Sequence, residues 1–328
     1  MDRLDSTLER FERLLARAEA LLPPAQREPD WTAIAWRWRV PRTTGRGQLD
    51  AVRHASTITL DSLRNVDRQK ALIAQNTRQF VAGLPANNVL LTGARGTGKS
   101  SLVKAVLNEF SGQGLRLIEV DKADLHDLPD IVDLVAGRPE RFLVFCDDLS
   151  FEDGEAGYKA LKVALDGSIA AQTDNVLIYA TSNRRHLLPE RMADNAGYKH
   201  DDEGELHPGE VVEEKISLSE RFGLWVSFHS FRQGDYLDIA RHWLTQLGGE
   251  WNAEVEREAL QFALGRGSRS GRVAWQFARD RAGRDRLGMV EAMAALAAKQ
   301  ADPEALAARA LALSGDALTD IPAGEDEL

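Results

Sequence analysis

Apolar residues spaced three and four apart put Leu4, Leu8, Phe11, Leu14, Leu15, Ala18, Leu21 and Leu22 on one face of an N-terminal helix, which Pro23 and Pro24 end. Beyond it, Trp36 and Trp38 alternate with Arg37 and Arg39. That alternation suits a strand with one apolar face, and it equally suits a surface that stacks on bases and grips phosphates. Thr43 to Gly47 read as a loop. From Asp61 to Ala82, Leu63, Val66, Leu72, Ile73 and Phe80 predict a helix that Gly83 and Pro85 close.

The pattern then changes period. Asn88 to Thr92, Leu115 to Val120, Phe142 to Cys146, Val176 to Ala180 and Trp225 to Phe228 are apolar runs too short for helices and typical of buried parallel strands. Helical patterns separate them, notably Lys99 to Phe110 and Tyr158 to Leu165. This alternation predicts an α/β fold, a parallel sheet with helices on both faces. Asp194 to Lys215 is strongly acidic and reads as a mobile loop. From Asp235 onward only helices are expected, over Tyr236 to Leu247, Glu254 to Leu264, Gly271 to Arg281 and Met289 to Leu313. The expected organisation is a helical, Trp-rich extension at 1–59, an α/β core at 60–233, a helical domain at 234–314 and an acidic tail at 315–328.

Composition narrows the class. The 328 residues are 43% hydrophobic and 28% charged, close to the globular average, so disorder and a membrane-embedded chain are both disfavoured. The net charge of -10 disfavours broad binding to nucleic acid while leaving room for a local basic site. Cys146 is the single cysteine, so an intrachain disulfide and a cysteine zinc cluster are excluded and a reducing cytoplasm is the expected setting. The first ten residues lack the pattern of a signal peptide, and no run approaches the ~20 apolar residues of a membrane span. His186, His200 and His207 show no metal-ligand spacing and are expected in loops.

The chemistry begins at the end of the first apolar run. Gly93, Ala94, Arg95, Gly96, Thr97, Gly98, Lys99 and Ser100 fit the pattern of glycine, four residues, then Gly-Lys-Ser, between a predicted strand and a predicted helix. Glycines let backbone N–H groups converge on phosphate oxygens, and the helix that follows offers its positive end. Lys99 is expected at the terminal phosphates and Ser100 on Mg²⁺, with Ser101 completing the nucleotide-binding set. The third run ends in Asp147 and Asp148. An acid at the end of a buried strand can hold Mg²⁺ through water, which suits Asp147. Asp148 would activate the attacking water, a task usually given to the longer glutamate; a closer water, slow hydrolysis or help from Glu152 are the alternatives. Among Thr181, Ser182 and Asn183 at the next strand end, Asn183 is the candidate to bond both the water and the terminal phosphate. Arg221 and Arg272 are candidates to stabilise charge on the transferring phosphate.

Taken together, the loop at Gly93 to Ser100, the acids Asp147 and Asp148, Asn183, the Ser-Glu-Arg-Phe run at Ser219 to Phe222 and Arg272 occur in an order that resembles the AAA+ ATPases. The resemblance implies a P-loop AAA+ core with a C-terminal helical lid. Lys99 and Ser100 are then Walker A, Asp147 and Asp148 Walker B, Asn183 sensor 1, Arg221 an arginine finger acting on a neighbouring subunit and Arg272 sensor 2. The runs Leu84 to Ser101 and Phe145 to Tyr158 resemble, more narrowly, a bacterial family of AAA+ ATP-binding proteins akin to helicase loaders and clamp loaders. ATP and Mg²⁺ are the implied cofactors, a homo-oligomer or hetero-assembly the implied state, and a protein or nucleic acid the implied client. No Gly-aromatic-Gly pore motif of the threading ATPases is apparent. Three functions stay open: an ATP-driven loading or remodelling switch, a nucleotide-gated binding module with negligible hydrolysis, and a small-molecule kinase.

Overall fold

The computed structural model describes residues 28–42, 44–151, 156–166, 174–183 and 218–301, together with residues 7, 10–13, 199–200 and 206–207. The chain forms two compact units, Met1–Arg232 and Gln233–Leu328.

In the first unit, β1 (Ala35–Arg39), β2 (Gln48–Ala51), β3 (Val89–Gly93), β4 (Leu115–Val120), β5 (Arg141–Cys146), β6 (Val176–Ser182) and β9 (Leu224–Phe228) form one seven-stranded sheet. Its order is β2-β1-β4-β5-β6-β3-β9, antiparallel between β1 and β2 and parallel elsewhere. Two-residue strands β7 (Lys199–His200) and β8 (Leu206–His207) pair separately. His200 and His207, expected in loops, therefore lie in a short ladder. The rest of the acidic stretch lies outside the described residues, as does most of the expected N-terminal helix, of which residues 7 and 10–13 are helical.

The period-2 alternation of the strands sorts their side chains into two cores. Leu90, Val144, Cys146, Ile178 and Ala180 face α3 (Leu128–Val135) and α4 (Ala156–Asp166), packing with Ile131, Val135, Leu161 and Leu165. Val89, Leu91, Phe145, Tyr179 and Val226 face α1 (Asp67–Val81) and α2 (Lys99–Phe110), packing with Ile73, Phe80, Leu102 and Val106. The result is the predicted α/β architecture, helices on both faces of a mostly parallel sheet. The Tyr179 hydroxyl ties the second layer together: it bonds Asn76 Nδ2 at 3.0 Å and Thr77 Oγ1 at 2.8 Å, while burial pushes its pKa up.

The tryptophan segment belongs to this sheet. Trp36 lies opposite Ile118 of β4, is fully buried and packs tilted against Phe142 with ring centroids 6.2 Å apart, and its indole N–H donates to Asp30 O. Trp38 is 4% exposed and donates to Asp127 Oδ2 at 2.8 Å. Both rings are spent on packing, which leaves Arg37 and Arg39 on the solvent face, paired with Glu119 at 2.8 Å and Asp50 at 3.6 Å. The stretch expected as an extension at 1–59 thus supplies two sheet strands, because the apolar face of β1 completes the core beside β4. Trp36→Ala is expected to lower stability by ~3–5 kcal/mol, read by denaturant unfolding. A loss below 1 kcal/mol would mean that β1 is peripheral.

The second unit consists of α5 (Gln233–Gln246), α6 (Ala253–Gly265) and α7 (Gly271–Ala301). Asn252 caps α6 by accepting from the N–H groups of Glu254 and Val255, each at 3.0 Å. The buried Tyr236 hydroxyl donates to Ala259 O at 2.9 Å, joining α5 to α6. Two separate helices were expected over 271–313; the structure has one continuous helix from Gly271 to Ala301. No proline interrupts it, and Arg284–Asp280 and Arg281–Asp285 ion pairs at i,i+4 spacing, each 3.1 Å, carry it through Gly283. Residues 302–328, including the expected tail, lie outside the described residues.

Candidate functional site

The phosphate loop runs from β3, the strand between β6 and β9, into α2. Gly93 must be glycine, because a Cβ there would lie 1.9 Å from the carbonyl oxygen of Phe228 on β9. Gly98 is the N-cap of α2 in a left-handed conformation, φ 99°, and puts no side chain over the first turn of that helix. Within the loop, Thr97 Oγ1 donates to Ala94 O at 2.8 Å, and Arg95 is exposed. Ser101 is half-buried on the first turn of α2. Lys99 is 6% exposed; its ammonium donates to Gly93 O and Ala94 O at 2.8 Å and to Asn183 Oδ1 at 3.0 Å.

Residues at the ends of β5 and β6 meet one another and the first turn of α2 beside that ammonium. Ser100 Oγ donates to Asp147 Oδ1 at 2.6 Å, and Thr181 Oγ1 donates to the same oxygen at 2.6 Å. Asp148 follows with φ 53°, rare for a residue with a side chain, and its Oδ1 accepts from Asn183 Nδ2. A continuous polar chain thus links Lys99, Asn183 and Asp148, with Ser100 and Asp147 beside it. Glu152, the alternative acid, lies outside the described residues. Cys146, one residue before Asp147, is fully buried; burial and then the Asp147 charge push its thiol up to about 12, which keeps it unreactive.

The structure therefore brings together Gly93 to Ser100, Asp147, Asp148 and Asn183. It places Arg221 elsewhere in the first unit, its Nε donating to Asp166 Oδ1 of α4 at 2.5 Å. Arg272 is exposed at the start of α7, in the second unit. Sequence reasoning passed over Thr181, whose partners are 33 and 34 residues away and whose type alone signals only a strand. A cavity of about 550 Å³ is lined by Asp147 together with Arg37, Arg39, Glu119, Asp121 and Asp124. Its lining contains no residue of the Gly93 to Ser100 loop.

The residues fit a nucleotide with Mg²⁺. Gly93 has no room for a Cβ, the Lys99 ammonium is held among oxygens, and a hydroxyl beside a carboxylate is the sparse set of hard oxygen ligands that Mg²⁺ takes at phosphate sites.

A family model described as "Protein of unknown function (DUF815)" matches residues 31–285. The chain belongs to that family. No curated protein sequence matches it. Among solved structures, the chain is similar to the RuvB Holliday junction branch migration motor of Thermotoga maritima, at 17% identity and a TM-score of 0.46, over 71% of this chain and 66% of that one. Two variants of that RuvB match at 15% and 16% identity with TM-scores of 0.47 and 0.48, over 73% and 71% of this chain and 68% and 67% of theirs. The DUF815 chain thus spans just under two thirds of the first of these structures. Its mostly parallel sheet carries the Gly93 to Ser100 loop and the acids Asp147 and Asp148 at the ends of its strands, within the α/β architecture the sequence predicts. Among the described residues no helix is long and apolar enough to cross a membrane.

Proposed function

We propose that the protein is a Mg²⁺-dependent ATPase that works as a nucleotide-driven switch in the cytoplasm, loading or remodelling a protein or nucleic-acid client. The observation that carries this reading is the convergence of Lys99, Ser100, Asp147, Asp148 and Asn183 at one end of the sheet. Bound Mg²⁺ would neutralise charge on the phosphates, with Ser100 and Asp147 holding it. Lys99 binds the terminal phosphates once it leaves the carbonyls of its own loop. Asn183 is poised to turn its Nδ2 donor from Asp148 to the terminal phosphate, while its Oδ1 orients the attacking water. Asp148 accepts that water's proton. Arg221 from a neighbouring subunit and Arg272 from the helical unit add positive charge at the transferring group, which makes assembly part of activity.

A second reading, a nucleotide-gated binding module with negligible turnover, is favoured by one observation. Asp148 is one methylene shorter than glutamate, and its Oδ1 is already taken by Asn183. Small displacements of an attacking water cost large factors in rate. Turnover by the dilute chain is therefore expected to be slow. Asp148→Glu should preserve or raise it, whereas Asp148→Asn should keep nucleotide binding and abolish hydrolysis, both read as phosphate release. Many turnovers per second from the wild-type chain at high dilution would contradict this, and no turnover under any condition would establish the gated module.

A further inference from the structure

We infer that Thr181 is the positioning residue that sets both acids of the Asp147–Asp148 pair for Mg²⁺ and for the attacking water, an inference that rests on the ATP–Mg²⁺ reading of the site. Thr181 is 1% exposed on β6, and one residue holds three successive positions past the end of β5. Its hydroxyl donates its proton to Asp147 Oδ1 at 2.6 Å and accepts from the Asp148 N–H at 2.8 Å. Its carbonyl accepts from the Leu149 N–H at 2.7 Å, and the next residue, Ser182, donates to Leu149 O at 2.7 Å.

Two consequences follow from that bracket. Asp147 Oδ1 receives two hydroxyl protons, from Thr181 and Ser100, while neither reaches Oδ2. The carboxylate is thereby fixed in rotation, with one oxygen committed to the protein. Second, Asp148 holds φ 53°, a left-handed conformation uncommon for residues with a Cβ, although Asp adopts it more readily than most. The Thr181 hydroxyl supplies the acceptor for its N–H in that conformation, and the side chain is then aimed at Asn183. A single hydroxyl therefore couples the orientation of the metal-side acid to that of the water-side acid. Groups in this outer position around a metal site commonly change metal affinity or activity 10- to 100-fold when removed.

Valine matches the shape and β-branching of threonine without the hydroxyl, so Thr181→Val isolates the bond from the packing. The test titrates MgCl₂ into the full chain with a fluorescent ATP analogue and reads bound fluorescence, with binding in EDTA and circular dichroism as folding controls. Thr181→Val is expected to raise the half-saturating Mg²⁺ concentration by about 10-fold or more. Its binding in EDTA should match that of the wild type, and Thr181→Ser should restore the Mg²⁺ response. A threonine serving the fold alone would alter melting and leave the Mg²⁺ midpoint where it is. Should valine fail to fold, Thr181→Ala makes the same measurement without an apolar group facing Asp147. A folded variant with the wild-type Mg²⁺ midpoint would overturn the role of Thr181 and leave the ATP reading standing. A wild-type chain whose nucleotide binding ignores Mg²⁺ would overturn that reading, and the role of Thr181 with it.

Discussion

Saturating ATP and Mg²⁺ should raise the melting temperature of the wild-type chain by several degrees, and Lys99→Ala should abolish the rise. A ligand that binds only the folded state at 100 times its Kd stabilises it by about 2.7 kcal/mol. In the structure the Lys99 ammonium is buried among Gly93 O, Ala94 O and Asn183 Oδ1, so its charge is already concentrated at the mouth of the loop. Alanine removes the buried positive charge of the Gly93 to Ser100 loop, leaving only the exposed Arg95. The carboxylates of Asp147 and Asp148 would then face nucleotide phosphates with only backbone N–H groups, Arg95 and Mg²⁺ to offset them. The measurement is the nucleotide-dependent shift in each protein, relative to its own unliganded melting point. An equal shift in Lys99→Ala would falsify the assignment of the loop as the nucleotide site, whatever the absolute stability of the variant.

The parts of this site that sequence reasoning reached share a property: their chemistry is written in adjacent residues. The loop from Gly93 to Ser100 is contiguous, and Asp147 and Asp148 sit directly after an apolar run whose strand is observed at Arg141–Cys146. The helix over Lys99–Phe110 and the strand over Leu115–Val120 likewise begin and end where the pattern places them, since Gly98 and Gly114 punctuate both with positive φ. Long-range pairing is where legibility stops. The alternation in Trp36 to Arg39 shows that one face is apolar, yet nothing local says that the face belongs beside Ile118, more than 70 residues later. Thr181 is the same problem at the site itself. As a β-branched residue at a strand end it needs no further explanation, and only the parallel register of β5 against β6 brings its hydroxyl to Asp147. In α7 local pattern misleads in the other direction: it gives separate helices over Gly271 to Arg281 and Met289 to Leu313, but i,i+4 ion pairs carry one helix through Gly283 between them.

Arg221→Ala is expected to lower turnover by about 10³-fold or more while leaving nucleotide affinity nearly intact, because an arginine supplied to a transferring phosphate is worth ~10³ to 10⁵ in rate. The pairing of Arg221 with Asp166 in its own chain does not stand against this. The two side chains are 24% and 46% exposed, and an ion pair so open to solvent contributes about 0–1 kcal/mol. The rate effect corresponds to about 4–7 kcal/mol of transition-state stabilisation, so a nucleotide presented by a neighbouring subunit can draw the guanidinium away from Asp166. Asp166→Asn should accordingly change turnover far less than Arg221→Ala. Specific activity should rise with protein concentration, since a finger acting across subunits completes the site only on assembly. Mixing separates action between chains from action within one. Arg221→Ala keeps its phosphate loop and Lys99→Ala keeps its finger, so neither turns over alone, but co-assembled subunits form some complete sites and recover part of the activity. If light scattering shows mixed assemblies and no activity returns, Arg221 acts within its own chain or serves only to hold α4 through Asp166.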